Sequence, residues 1–329
     1  MRHLFAAAAL CTLAANASAQ GPRSIGAGML HLNVASVEQS LAFYRDVLGL
    51  EMQNPPTAPR AAAVLVSEPG ALLKTVVLRQ PGGPFQMELV EWTGTPLRPQ
   101  QQRIQDPGAV MLAMDVHNLD AMLGGAKKLG LSVLTAGGAP IVFDGPRGKT
   151  RTVMIRDADG FVVELVQGGM PATAPATAPA GISEVSMYIS VADLAHTVAF
   201  YTKVFGFDMA VPAEARPTSE RIQAFFGDKA LATMRTARGT FPGSTITLTF
   251  QEFGAPGRKA ARHRVQDPGG PIFPVTVQDF PAVVEQVMVN GGIIGVGETS
   301  ASLAADARST WIRDPNGVLI QISMPRPRN

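Results

Sequence analysis

Few side chains in this 329-residue sequence are equipped for acid–base or ligand chemistry, and their positions limit what that chemistry can be. The single cysteine, Cys11, lies close to the N-terminus. Histidine is the side chain best matched to proton transfer and metal ligation near neutral pH. His31 has the most informative setting: Leu30, Leu32 and Val34 alternate with Met29, His31 and Asn33. That period of two is the pattern of a half-buried strand, and it places Met29, His31 and Asn33 on one face. His117, His196 and His263 fall at a loop start, on a helix face and in a polar loop, where surface roles are expected. The basic run Arg258–Arg264, with Lys259 and Arg262 inside it, reads as a solvated face or as a lid over a neighbouring cleft. The sequence has no P-loop, dinucleotide fingerprint or nucleophile elbow.

The elements that must position these residues occur twice. Val34, Ser40, Phe43, Tyr44 and Gly49 recur as Val191, Thr197, Phe200, Tyr201 and Gly206, an offset of 157. Ile155-Arg156-Asp157-Ala158-Asp159-Gly160 recurs at the same offset as Ile312-Arg313-Asp314-Pro315-Asn316-Gly317. Between them, Gln105-Asp106-Pro107-Gly108 matches Gln266-Asp267-Pro268-Gly269 at 161, so the second copy gains four residues and later loses four. A duplicated unit sets the architecture, and differences between copies show which chemistry each kept.

The first residues, a basic Met1-Arg2-His3, an apolar run Leu4 to Leu13 and Ala17-Ser18-Ala19, read as a secretory signal peptide over 1–19. The run is too short to span a bilayer. Cleavage after Ala19 would remove Cys11, leaving no disulfide, thiolate nucleophile or cysteine metal site. With no second long apolar run, the expected product is a periplasmic or secreted protein with no membrane span. The formal charge is only +2 and aromatics are 6% of the chain, which argues against nucleic acid as a partner.

A mature length of about 310 residues suggests two domains, as does the repeat. They are expected at 25–168 and 182–325, joined by a Pro/Ala/Thr linker at 169–181 that has no apolar periodicity. Each divides again into strand, helix and further strands. Ser36 opens the first helix, with Gln39 completing a capping box and Val37, Leu41, Tyr44 and Leu48 forming its stripe. Strands are expected at 62–67, 72–78, 85–92 and 110–116, a second helix over 119–129, and a turn at 157–160 between the last two strands. The second copy repeats this, with Leu194, Val198, Tyr201 and Phe205 as one stripe and a helix from Asp279 to Asn290.

Together, the Val…Ser/Thr…Phe-Tyr…Gly segment and the Asp-x-Asp/Asn-Gly turn resemble the vicinal oxygen chelate superfamily, which includes glyoxalase I, bleomycin and fosfomycin resistance proteins and extradiol dioxygenases. The resemblance covers both halves. It implies an α+β fold of four βαβββ modules forming two half-barrel domains, each around a cleft. It also implies where ligating groups would stand: Met29, Met111, Ser186 and Ile272 on the first strands, and Glu88, Glu164, Thr249 and Gln321 on the last strands. The second half has neither His nor carboxylate at its four positions and reads as metal-free. The first half keeps Glu88 and Glu164 as candidate catalytic groups, with Met29 and Met111 reading as apolar cleft wall. A divalent Fe, Mn or Zn ion prefers imidazole or oxygen to thioether. His31 therefore either joins Glu88 and Glu164 in a shifted metal site, or hydrogen-bonds Glu88 or a ligand with no cofactor. Facing carboxylates would share a proton, hold a metal, or pair with Arg151 or another cation. Arg156 and Arg313 read as hairpin-end surface charges. In the second half, Ser186, Tyr188, Ser190, Thr247, Thr249, Gln251 and Gln321 form a polar, uncharged wall suited to a neutral ligand.

Three functions fit: an exported protein binding a small organic molecule; a lyase, isomerase or dioxygenase working through Glu88, Glu164 and His31; and an accessory module with filled clefts. The tandem arrangement is compatible with a monomer or a homodimer.

Overall fold

The computed structural model describes residues 24–100, 102–145, 148–168, 181–295 and 309–325. The leader at 1–19 and the linker up to residue 180 lie outside them. Four modules of one plan follow along the chain. The first has strand Leu30–Val34, helix Val37–Tyr44 and strands Glu51–Met52, Leu72–Arg79 and Gln86–Thr93. The second has Val110–Val116, helix Leu119–Lys128, Ser132–Val133, Gly148–Arg156 and Val162–Gly168. The third has Ile182–Val191, helix Leu194–Phe205, Arg216–Pro217, Thr233–Thr240 and Thr247–Gly254. The fourth has Pro271–Val277, helix Phe280–Val289, Ile293–Ile294, Ser309–Arg313 and Leu319–Ser323.

The helices start where side-chain caps satisfy their first free N–H groups. Ser36, Asn118, Asp193 and Asp279 each accept from the backbone three residues on. Gly206 closes the third module's helix at φ 80, a conformation that favours glycine. The expected strand at 62–67 is instead a one-turn helix, Ala63–Val66. A short apolar run has no periodicity to separate helix from strand, and here it rolls Val66 onto an apolar cluster and ends at Ser67 with φ 55.

In every module the first strand runs parallel to the last. Two modules then join through antiparallel first strands, but not within each half of the sequence. Module one pairs with module four, at Leu32↔Pro271 and His31↔Ile272. Module two pairs with module three, at Met111↔Tyr188 and Ala113↔Ser186. Each sheet is thus completed by one module from each repeat. One face of both sheets packs on the helices in a shared core that includes Leu32, Leu89, Leu112, Tyr44, Tyr201 and Phe250. The opposite face of each sheet is a cleft face with its own apolar cluster.

Candidate functional site

Regrouping the modules separates the two carboxylates. Glu88 lies on the sheet of modules one and four, and Glu164 on the sheet of modules two and three. The expected encounter of His31, Glu88 and Glu164 is therefore corrected to two separate sites, because the pairing of first strands, not sequence order, decides which residues share a cleft.

In the cleft of modules two and three, Glu164 stands beside Ala113, which stands beside Ser186. In the next row, Met111 is followed by Tyr188 and Thr249. Glu164 is only 8% exposed and accepts a 2.7 Å hydrogen bond from Thr152 Oγ1. Burial, opposed by that bond and reinforced by the nearby Asp115, pushes its carboxyl up to about 7. Burial, with Glu164 close by, likewise raises the Tyr188 phenol to about 12. Arg151 is not the partner of Glu164; it makes two bonds to Asp120 and one to Gln167. Met111, Met154, Phe225, Phe226 and Phe253 fill the deeper part of this cleft. Both Phe225 and Phe226 come from helix Glu220–Phe226, capped by Ser219 and closed by Gly227. The four extra residues of the second copy fall between Gly206 and Thr233, in the stretch that contains this helix; Ala63–Val66 is its shorter counterpart.

In the cleft of modules one and four, His31 Nε2 lies 3.5 Å from Glu88 Oε2, with side chains 23% and 18% exposed. Burial lowers the His31 pKa, and the charge of Glu88 opposes that. Asn33 is not free for a ligand: its Nδ2 donates to Gly270 O at 2.8 Å and its Oδ1 accepts from Trp92 Nε1 at 3.0 Å. Gln321 donates to Ser309 Oγ at 3.3 Å. Met29 lies in the two-residue gap between strands Ser24–Ala27 and Leu30–Val34, where module three has one continuous strand, Ile182–Val191. It lines an open groove of about 680 Å³ with Gly28, Gln86, Gly243 and Ser244.

The family's metal positions regroup as Met29, Glu88, Ile272 and Gln321 in one cleft and Met111, Glu164, Ser186 and Thr249 in the other. Each set has one carboxylate, and thioether or alkyl groups occupy positions where a hard or borderline divalent ion needs oxygen or imidazole. Among the described residues no three His, Cys, Asp or Glu side chains converge. These donor sets do not fit a conventional divalent site.

Other expectations change with burial. His263 is not at the surface: it is fully buried, Nε2 sits 3.0 Å from Pro271 O, and burial lowers its pKa to about 4. Arg313 is buried, donates to Gly317 O and His263 O, and has its pKa lowered to about 10 by burial. Arg156 donates to Gln102 O and Gly160 O. In the basic run, Arg258 bonds Val191 O, Lys259 N bonds Asp106 and Arg264 pairs with Asp267, so it braces loops. Sequence reasoning missed Thr152, whose only signal was its place opposite Glu164's strand.

No curated protein matches this chain. Among solved structures, glyoxalase I from Zea mays aligns at a TM-score of 0.54 and 16% identity, covering 92% of this chain and 92% of that one. A Bacillus subtilis protein provisionally assigned as a dioxygenase aligns at 0.52 and 13%, covering 93% and 87%. At such identities the likeness concerns the fold. The family described as Glyoxalase/Bleomycin resistance protein/Dioxygenase superfamily matches residues 26–165 and again 181–322. With both repeats matched over most of their length, the chain belongs to that superfamily.

Proposed function

We propose that this is an exported protein that binds a small, uncharged organic molecule in the cleft of modules two and three. The observation that carries the reading is Glu164, a buried carboxyl held by Thr152 with its pKa raised to about 7, on the same sheet face as Ser186, Tyr188 and Thr249. A carboxyl so placed donates when protonated and accepts when ionised, and the surrounding hydroxyls do both. Such a wall suits a ligand with adjacent oxygens. The reading takes 1–19 as a signal peptide and the periplasm or exterior as its location.

The same pKa favours a second reading. A base poised near neutral pH is matched to proton abstraction, so Glu164 would take a proton from a carbon next to a carbonyl, with Tyr188 and Thr249 orienting the oxygens.

Titration calorimetry with catechol and dihydroxyacetone tests binding. Saturable heat that is lost in Ser186→Ala and Thr249→Ala supports it, and no heat from either probe in the wild-type chain rejects it. Dihydroxyacetone in D2O, followed by NMR, separates the readings: deuterium entering its methylene positions, and ceasing in Glu164→Gln, makes the protein an enzyme. Elemental mass spectrometry of protein purified without chelator checks the donor-set argument; about one metal per chain, lost in Glu164→Ala, would overturn it.

A further inference from the structure

The two copies of the hairpin turn differ at one position that changes their chemistry. Asn316 of the second copy stands where the first has Asp159, an offset of 157. Both residues make the same joint. Asp159 Oδ1 accepts from Ala35 N at 3.0 Å, and Asn316 Oδ1 accepts from Ala192 N at 2.9 Å. Each bond fastens the last hairpin of one module to the strand-to-helix junction of the module before it, across the two sheets.

The far ends of the two side chains are not equivalent. Asn316 Nδ2 donates to Thr197 Oγ1 at 3.0 Å and to Asp314 Oδ2 at 3.2 Å. The first copy has Ser40 and Asp157 at these places, and Asp159 offers them an oxygen that carries no hydrogen when ionised. Ser40 hydrogen-bonds the Asp159 carboxyl, which suits a hydroxyl. Asp157 has no such donor to give; its own oxygens accept from Tyr44, Asp159 N and Phe161 N. Both carboxyls are buried. One proton on the pair restores the donor pattern and the net charge of Asp314 with Asn316. No proton leaves two buried negative charges side by side, which a low-dielectric interior disfavours.

Neighbouring groups do not relieve that charge. Tyr44 faces the pair from the first helix as a neutral donor. Arg156, whose charge acts on Asp157, has its guanidinium bonded to Gln102 O and Gly160 O. The two loops packed on the turn meet it with backbone: a Cβ at Gly160 would strike Gln100 O, and one at Gly269 would strike Asp159 O. Charges in those loops pair with each other, Arg103 with Asp106 and Arg264 with Asp267. Charges on the helices beside the turn are engaged at the surface, Glu38 with Lys74, Arg45 with Asp46 and Lys127 with Gly138 O. A cavity of about 160 Å³ lined by Ser40, Tyr44, Leu129, Leu131 and Asp157 is large enough to bring water to the carboxyl.

We propose that the first joint is a proton-dependent clasp: with one proton shared by Asp157 and Asp159 it holds as the Asp314–Asn316 joint does, and on losing that proton it loosens module one from module two while modules three and four stay fastened. The device is independent of what either cleft binds. Burial is the first cause that raises both carboxyls, Asp157 to about 7. A folded-state value above the ordinary one means that the clasp is closed at low pH and weakens as pH rises through that value.

Native-state hydrogen exchange reads the two joints separately, through the amides of Ala35 and Ala192. Between about pH 6 and about pH 8.5, protection of Ala35, corrected for the exchange of free amides, is expected to fall about tenfold relative to Ala192. Glu164 titrates in the same range, but it acts on global stability, moves both amides together and leaves their ratio unchanged. Asp159→Asn gives the first joint the amide of the second and is expected to abolish the fall. Asn316→Asp is expected to transfer the fall to Ala192, which keeps the test decisive if the first variant folds poorly. Equal pH responses of Ala35 and Ala192 in the wild type, an undiminished fall in Asp159→Asn, or no transfer in Asn316→Asp overturns the proposal.

Discussion

Tyr44 donates its phenolic hydrogen to Asp157 Oδ2 at 2.8 Å, and Tyr201 repeats the bond with Asp314 at 3.3 Å. Each pair joins the first helix of one module to the last hairpin of the next, 113 residues away. Because modules one and two belong to different sheets, the Tyr44–Asp157 bond ties the sheets together through the shared core. The same aspartate organises its turn, with Oδ1 accepting from Asp159 N and Phe161 N. Burial nonetheless raises Asp157 to about 7, and Tyr44 is the largest influence opposing that rise.

Tyr44→Phe removes the donor and leaves a buried carboxyl short of a partner, which costs about 1–3 kcal/mol. Tyr201→Phe is expected to cost less, since its bond is longer and Asn316 Nδ2 also reaches Asp314, at 3.2 Å. Urea midpoints of the two variants measure this, and a larger loss at Tyr201 would contradict the ranking.

The Phe-Tyr and Asp-x-Asp/Asn-Gly motifs were visible in the sequence as helix and turn signals, but their direct bond was not, because nothing local encodes a contact over 113 residues. Helix caps and stripes were legible for the opposite reason: Ser36 and Gln39 are three residues apart and act within one turn. The exchange of modules was hidden because the repeat makes both pairings look equivalent; the choice rests on long-range contacts such as His31↔Ile272. Strand alternation correctly put Asn33 on the cleft face, yet could not show that Trp92 and Gly270 consume its amide.

Asn33→Ala strands the Trp92 indole N–H, while the Gly270 carbonyl keeps the backbone N–H of residue 33 at 3.2 Å. One buried group without a partner costs about 1–3 kcal/mol. The loss should appear as a lower urea midpoint together with altered tryptophan emission, whereas Asn33→Asp, which still offers an acceptor to Trp92, is expected to keep the emission closer to wild type.

Glu164 makes stability depend on pH in a definite direction. Its folded value of about 7 stands above the ordinary 4.5, so between these values the native chain holds the extra proton and stability falls as pH rises. Glu164→Gln cannot titrate. The wild type should therefore lose up to about 3 kcal/mol relative to the variant across that window. Asp157 and His263 titrate in both proteins and largely cancel in the difference. Urea unfolding of both chains at about pH 5 and about pH 8 gives the comparison; a difference that stays constant would mean that Glu164 is not buried as described.

Phe226 tests what keeps that carboxyl raised. Its ring packs on Phe225 at 4.9 Å and Phe253 at 5.0 Å, over a cluster that includes Met111 and Met154 beside the Glu164 strand. Phe226→Ala deletes this cover and should cost about 3–5 kcal/mol, less if the helix collapses into the space. If burial is the main cause of the raised pKa, water admitted through the gap must bring Glu164 down from about 7 toward its ordinary value. Carboxyl-carbon NMR across a pH series would follow it directly. A variant that is destabilised while Glu164 still titrates near 7 would assign the shift to Asp115 instead, because charge repulsion between neighbouring carboxylates persists when the ring is gone.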